Sequence, residues 1–268
     1  MPTWALHVTG DLDEVNRHWA ALDAAGMRAA AEVDGRAIVY FDDRCADPPI
    51  AGRWEHVADR DWHERWRAGL TPVRAGRWTV TPSWLTAGGQ TSGSGSDRSH
   101  GDELVIDPGQ AFGTGHHETT VACLEALDEV PLAGRTVLDV GTGTGVLAIA
   151  AARAGATATA VDVDPLATAA ARDNAARNQV DISVCTGGVE HVAGRTFDVV
   201  VANLDSATLM SVASALRSAL AGGGLLIASG VSNERSDEVT TALTSVGLAV
   251  TATAGTEWSL LRARRGGP

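Results

Sequence analysis

Residues 139–145 read Asp-Val-Gly-Thr-Gly-Thr-Gly, and this run is the clearest chemical signal in the sequence. Glycine at every second position permits positive φ and lets a backbone come close to a ligand. Thr136–Val140 before the run has the pattern of a strand, and a helical segment follows it. A glycine turn between strand and helix is where an open parallel sheet binds ligands, beyond the carboxyl ends of its strands. A dinucleotide fingerprint, G-x-G-x-x-G, needs a glycine at 146, and the chain has Val146. Asp162 closes the next strand candidate, where a carboxylate can accept hydrogen bonds from two ribose hydroxyls. These features point to a nucleoside-containing ligand. Asp164-Pro165 reads as an N-cap followed by proline in the first helical turn, a structural pair.

Two further groups of residues carry chemistry. The stretch Asp107–Thr120 is dense in Gly, Thr and His just before a helix, with Thr119 and Thr120 near the helix start. Hydroxyls and unpaired N–H groups there can meet a ligand. Adjacent His116 and His117 rarely converge on one ion, and no distant ligand has matching spacing, so no metal is expected. Asn203 follows the strand candidate Phe197–Ala202. Its side-chain amide can accept a hydrogen bond from an incoming amine and orient the nitrogen lone pair. The competing reading is an asparagine that caps the next helix.

The elements that must position these residues form a repeating pattern. Strand candidates are 136–140, 157–161, 182–184, 197–202, 224–229, 249–254 and 258–263. Helix candidates lie at about 146–154, 165–178, 207–220 and 233–246. Alternating β and α units predict a parallel sheet covered on both faces. The short link at Gly255-Thr256 predicts that the last two strands pair antiparallel. At the other end, residues 4–8 alternate like a strand, and Leu12, Val15, Trp19 and Leu22 mark a helix over 11–25. Residues 27–33 and 36–41 then form a hairpin around Asp34-Gly35. The segment from 42 to 85 holds Trp54, Trp62, Trp66, Trp78 and Trp84, five of the chain's eight tryptophans. Trp62 and Trp66 share a face if helical. These rings either pack the connector onto a domain or line a substrate groove. Residues 86–101 are Gly/Ser-rich and read as a flexible loop.

Composition narrows the function. A net charge of −12 argues against direct nucleic-acid contact, which needs clustered cations. All 21 basic residues are arginine, consistent with a genomic base-composition bias. No apolar run approaches the roughly 18 residues of a membrane helix. Three scattered cysteines do not form a disulfide framework. A cytoplasmic protein is expected.

The D-x-G-x-G-x-G run resembles the first motif of class I methyltransferases. Taken together, Phe112–Thr120, Gly141–Gly145, Asp162 and Ala202-Asn203-Leu204 resemble the PrmA family. That family methylates a large-subunit ribosomal protein at the stalk base. The linker pieces Asp61–Trp66 and Pro82-Ser83-Trp84 are similar as well. The Gly/Ser-rich stretch 86–101 departs from the family pattern.

The resemblance implies an α/β fold: a Rossmann-like class I methyltransferase with a seven-stranded, mostly parallel sheet and a small N-terminal α+β domain. The implied domains are 1–41 for substrate recognition, 42–101 as connector and 102–268 for catalysis. It implies S-adenosyl-L-methionine as cofactor, bound by Phe112, Gly113, Thr114, Thr120, Gly141, Gly143, Asp162 and Asn203. Asn203 is the expected catalytic residue, with His117 assisting. The implied reaction is methylation of lysine side chains or the α-amino group of a ribosomal protein, free or on the large subunit. Another protein, a small-molecule amine, or a non-catalytic ribosome-assembly role are the alternatives.

Overall fold

The computed structural model describes residues 3–10, 12–33, 36–57, 70–86, 103–107, 115 and 117–267. The chain divides into two units, Met1–Thr71 and Pro72–Pro268. Asp34-Gly35, Trp62, Trp66, Phe112, Gly113, Thr114, His116 and nearly all of 86–101 lie outside the described residues.

In the first unit an antiparallel sheet has the order β2-β3-β1-β4. Its strands are β1 (Thr3–Val8), β2 (Met27–Val33), β3 (Arg36–Phe41) and β4 (Gly52–Val57). The helix expected over 11–25 is two helices, α1 (Leu12–Arg17) and α2 (Trp19–Ala24). The cause lies at His18. Its ring nitrogen sits 3.0 Å from the Glu14 carbonyl, the group its own backbone N–H would take in a continuous helix. That N–H bonds Val15 instead, at 3.1 Å. Leu6, Val15, Leu22 and Val39 are buried between helices and sheet. β4 falls in the segment read as connector, and it pairs along the whole of β1. Packing explains this: Trp54 lies against Phe41, with ring centres 5.2 Å apart, and edge-on to Trp4 at 6.5 Å.

The second unit holds a small sheet and a large one. The small sheet comprises β5 (Val73–Ala75), β6 (Trp78–Thr81) and β7 (Glu103–Val105), with β6 and β7 parallel. Strands of three or four residues carry no periodic signal, and the sequence reading has no counterpart for them. Trp78 is buried in the core here, and Trp84 lies in a single 3₁₀ turn, Ser83–Leu85. For Trp54 and Trp78 the packing role therefore holds.

The large sheet uses β8 (Thr136–Val140), β9 (Thr157–Asp162), β10 (Ile182–Thr186), β11 (Phe197–Asn203), β12 (Leu220–Ser232), β13 (Leu248–Ala254) and β14 (Trp258–Arg265). Their order is β10-β9-β8-β11-β12-β14-β13, with β14 alone running opposite to the other six. Five helices accompany it: α3 (Glu118–Asp128), α4 (Val146–Arg153), α5 (Pro165–Arg177), α6 (Ser206–Ala219) and α7 (Ser236–Ser245). The near-continuous apolar run of β11 is what a strand buried on both faces requires. Val199 and Val201 pack with Leu124 of α3 and Ile149 of α4. Val200 and Ala202 pack on the opposite face with Leu209 of α6 and Val239 of α7.

Candidate functional site

The strand order reverses between β8 and β11: the chain runs outward from β8 to β9 and β10, then returns to β11 on β8's other side. At this switch point the carboxyl ends of β8, β9 and β11 come together. The glycine turn leaves β8 with φ of +72° at Gly141, +53° at Gly143 and +85° at Gly145. All three are left-handed conformations that disfavour side chains. At Gly141 a Cβ would also clash with the Leu204 side chain. The N–H groups of Gly141 and Thr142 both donate to the Val161 carbonyl, at 2.9 and 3.1 Å, which anchors the turn to β9.

Asp162, at the end of β9, accepts one bond on each carboxylate oxygen: Gly143 N–H at 2.9 Å and Asp164 N–H at 3.0 Å. The carboxylate is fixed by the turn yet keeps lone pairs for ligand hydroxyls. Asp164 caps α5 through Leu166 N–H, with Pro165 in the first turn, as its sequence context predicts. Beside it Val163 and Leu166 are large apolar side chains left 76% and 57% exposed. Both follow Asp162 in the chain within four residues. The sequence reading did not single them out, because Val163 falls between the strand and helix candidates and Leu166 begins a helix whose exposed face it does not mark.

Asp139 is the most unusual group in the site, and the sequence reading used it only as a motif letter. It is fully buried in β8. One oxygen accepts from the Thr142 hydroxyl at 2.6 Å and Ala148 N–H at 3.2 Å. Among the described residues the other oxygen has no hydrogen-bond partner. Burial pushes its pKa up to about 7; the two hydrogen bonds oppose this, and the charge of Asp162 adds to it.

Thr120 and Asn203 meet across the site: the Asn203 amide donates to the Thr120 hydroxyl at 3.2 Å. Thr120 is buried in the first turn of α3, and Asn203 is half-buried at the end of β11. Asp205, rather than Asn203, caps α6, accepting from Ala207 and Thr208 N–H at 2.9 and 3.0 Å. The capping alternative for Asn203 is thereby removed. With its NH₂ committed to Thr120, the Asn203 carbonyl oxygen is the end left to receive a donor.

His117, expected to assist Asn203, lies at the start of α3. It is the N-cap of α3, with its Nδ1 2.7 Å from the Thr119 hydroxyl and accepting from Thr119 N–H at 3.4 Å. Its ring packs edge-on against Trp258, centres 5.1 Å apart. Burial lowers its pKa to about 4. A ring that charges only near that pH is a weak proton acceptor at neutrality, so its geometry supports capping rather than proton transfer.

The structure thus brings together Gly141, Gly143, Asp162, Thr120 and Asn203. A glycine turn after the first central strand, an acid closing the second, and a sheet with one antiparallel strand near its edge define a class I methyltransferase. The profile of the ribosomal protein L11 methyltransferase (PrmA) family matches residues 21–266, and the chain belongs to that family. Over 260 residues it is 37% identical to the ribosomal protein L11 methyltransferase of Thermus thermophilus, covering 96% of this chain and 98% of the relative. The Deinococcus radiodurans protein of the same name is 38% identical over 96% of this chain and 97% of its own length. The crystal structure of a ribosomal protein L11 methylase from Lactobacillus delbrueckii superposes with a TM-score of 0.65 at 27% identity, over 74% of this chain and all of that one. The protein is an enzyme, a protein methyltransferase.

Proposed function

We propose that this chain binds S-adenosylmethionine against the Gly141–Gly145 turn and methylates amine nitrogens of ribosomal protein L11, on lysine side chains or the α-amino group. The carrying observation is the Asn203–Thr120 pair at the end of β11, beside the β8 turn and the Asp162 carboxylate. The cofactor supplies an activated methyl group on a sulfonium. The residues present fit such a ligand. Asp162 is set to accept ribose hydroxyls, and Val163 and Leu166 offer an apolar face for a purine. The unpartnered oxygen of Asp139 suits a ligand that carries positive charge. Phe112, Gly113 and Thr114 are proposed as further contacts on the strength of the family resemblance.

Asn203 orients the acceptor. Its carbonyl oxygen receives a hydrogen bond from the amine, which aims the nitrogen lone pair. An unperturbed lysine has a pKa of about 10.4, so the amine must shed a proton before it can attack. His117 is too weak a base for this, and the proton goes to solvent. The N-terminal unit is proposed as the substrate-recognition domain, working on L11 in the bacterial cytoplasm. Methyl transfer from labelled cofactor tests this reading, with purified L11 set against a panel of small amines. Incorporation into L11 is expected; incorporation into small amines with none into L11 would overturn it.

A further inference from the structure

Helix α5 carries a buried asparagine, Asn174, and its C-cap residue Asn178 is buried too; the methyl-transfer account uses neither. They stand four residues apart, so they share a face at a rise of about 6 Å. Val105 and Asp107 stand two apart on extended chain, about 6.6 Å, and also share a side. The two spacings match, and each amide brackets one residue. Asn178 accepts from Val105 N–H at 2.9 Å and donates to the Val105 carbonyl at 2.7 Å. Asn174 accepts from Asp107 N–H at 3.0 Å and donates to its carbonyl at 2.9 Å. The helix thereby serves the free side of β7 as a neighbouring strand would.

Asn174 does one thing that Asn178 does not. Its NH₂ also donates to the carbonyl of Thr144, at 2.9 Å, inside the glycine turn. The Arg177 guanidinium completes its oxygen at 3.2 Å, so all hydrogen-bonding positions of the amide are filled. Asp107 is itself pinned by Ser83, whose N–H and hydroxyl both lie 2.8 Å from its carboxylate, and by Arg177 at 3.2 Å. One buried amide therefore joins the glycine turn to a braced point on the backbone 37 residues upstream, Asp107.

We infer that Asn174 is a positioning residue for the cofactor-binding turn, holding Thr144 so that Gly143 and Gly145 keep the backbone shape the cofactor requires. This rests on the reading that the turn binds S-adenosylmethionine. Asn174→Asp keeps the shape but replaces the double donor with an oxygen, leaving two buried carbonyls facing a carboxylate. Asn178→Asp inflicts the same chemistry on the carbonyls of Val105 and Asn174, again two, without a direct bond to the turn.

The test measures S-adenosylhomocysteine affinity by calorimetry for the wild type and both variants, alongside Tm. The N174D variant is expected to bind about tenfold more weakly or worse, while N178D stays within about twofold despite a comparable loss of Tm. Equal affinities in the two variants would overturn the positioning role and leave the functional reading intact. A wild type that fails to bind at all would remove the functional reading and this one with it. Amide exchange in the wild type guards against a variant that does not fold. Adding S-adenosylhomocysteine should slow exchange at Asp107 N–H markedly more than at Val105 N–H. Equal protection at both would contradict the inference.

Discussion

Replacing Asp139 with asparagine isolates the cost of a buried carboxyl beneath the glycine turn. Its folded-state pKa is about 7 against an ordinary 3.8. Between those two values the unfolded chain has released a proton that folded Asp139 keeps. Stability is therefore lost as pH rises, by about 1.4 kcal/mol per pH unit, and the loss levels off above pH 7. Asparagine has no proton to lose, fits the same space and can still accept from Thr142 and Ala148. The stability of D139N relative to wild type should thus climb by about 3 kcal/mol between pH 5 and pH 8. For a chain of this size that is a relative gain of roughly 5–10 °C in Tm. Scanning calorimetry of the cofactor-free proteins in half-unit pH steps gives the curve. A difference that does not change with pH would refute the argument, because every other consequence of the substitution is independent of proton uptake. Added S-adenosylmethionine should protect the wild type more at pH 8 than at pH 5, since a cationic ligand favours the ionised carboxylate.

Three other perturbations follow from the same geometry. Asn203→Ala should lower kcat about 100-fold with a much smaller change in cofactor KM, because it removes orientation of the amine rather than binding of the nucleoside; full turnover in steady-state assays would sink its role. Gly141→Ala should cost about 1–2 kcal/mol from its φ alone, with more from the Leu204 contact. Chemical denaturation of the G141A/L204A double variant should recover the second part and not the first. His117→Ala should cost about 0.5–2 kcal/mol as a lost helix cap. The pH–rate profile between pH 6 and 8 should keep its shape, and loss of an ionisation from that profile would make His117 a proton acceptor.

The large sheet was legible because its strands and helices are long enough to show their periods, and its glycine turn sits at a strand end. Asp164-Pro165 was equally plain, since capping is local chemistry. Asn203 and Thr120 could be named from type and position, but their hydrogen bond spans 83 residues and belongs to the tertiary fold. Asp139 was read only as part of a motif, because nothing in a strand's sequence says that one carboxylate oxygen will be buried without a partner. β5–β7 and β4 were hidden by brevity and by a tryptophan-rich composition that suggested a connector. His117 was named from its residue type as an assistant to Asn203; that it also caps α3 depends on tertiary burial, which residue type does not show. The pairing of Asn174 and Asn178 with β7 was out of reach for the same reason.

The placement of the cofactor is measured directly by a crystal structure with S-adenosylhomocysteine. The ribose hydroxyls are expected on the Asp162 carboxylate, the amino-acid end over the Gly141–Gly145 turn, and the sulfur facing Asn203 at the end of β11. A nucleoside bound elsewhere, or a sulfur turned away from Asn203, would contradict it.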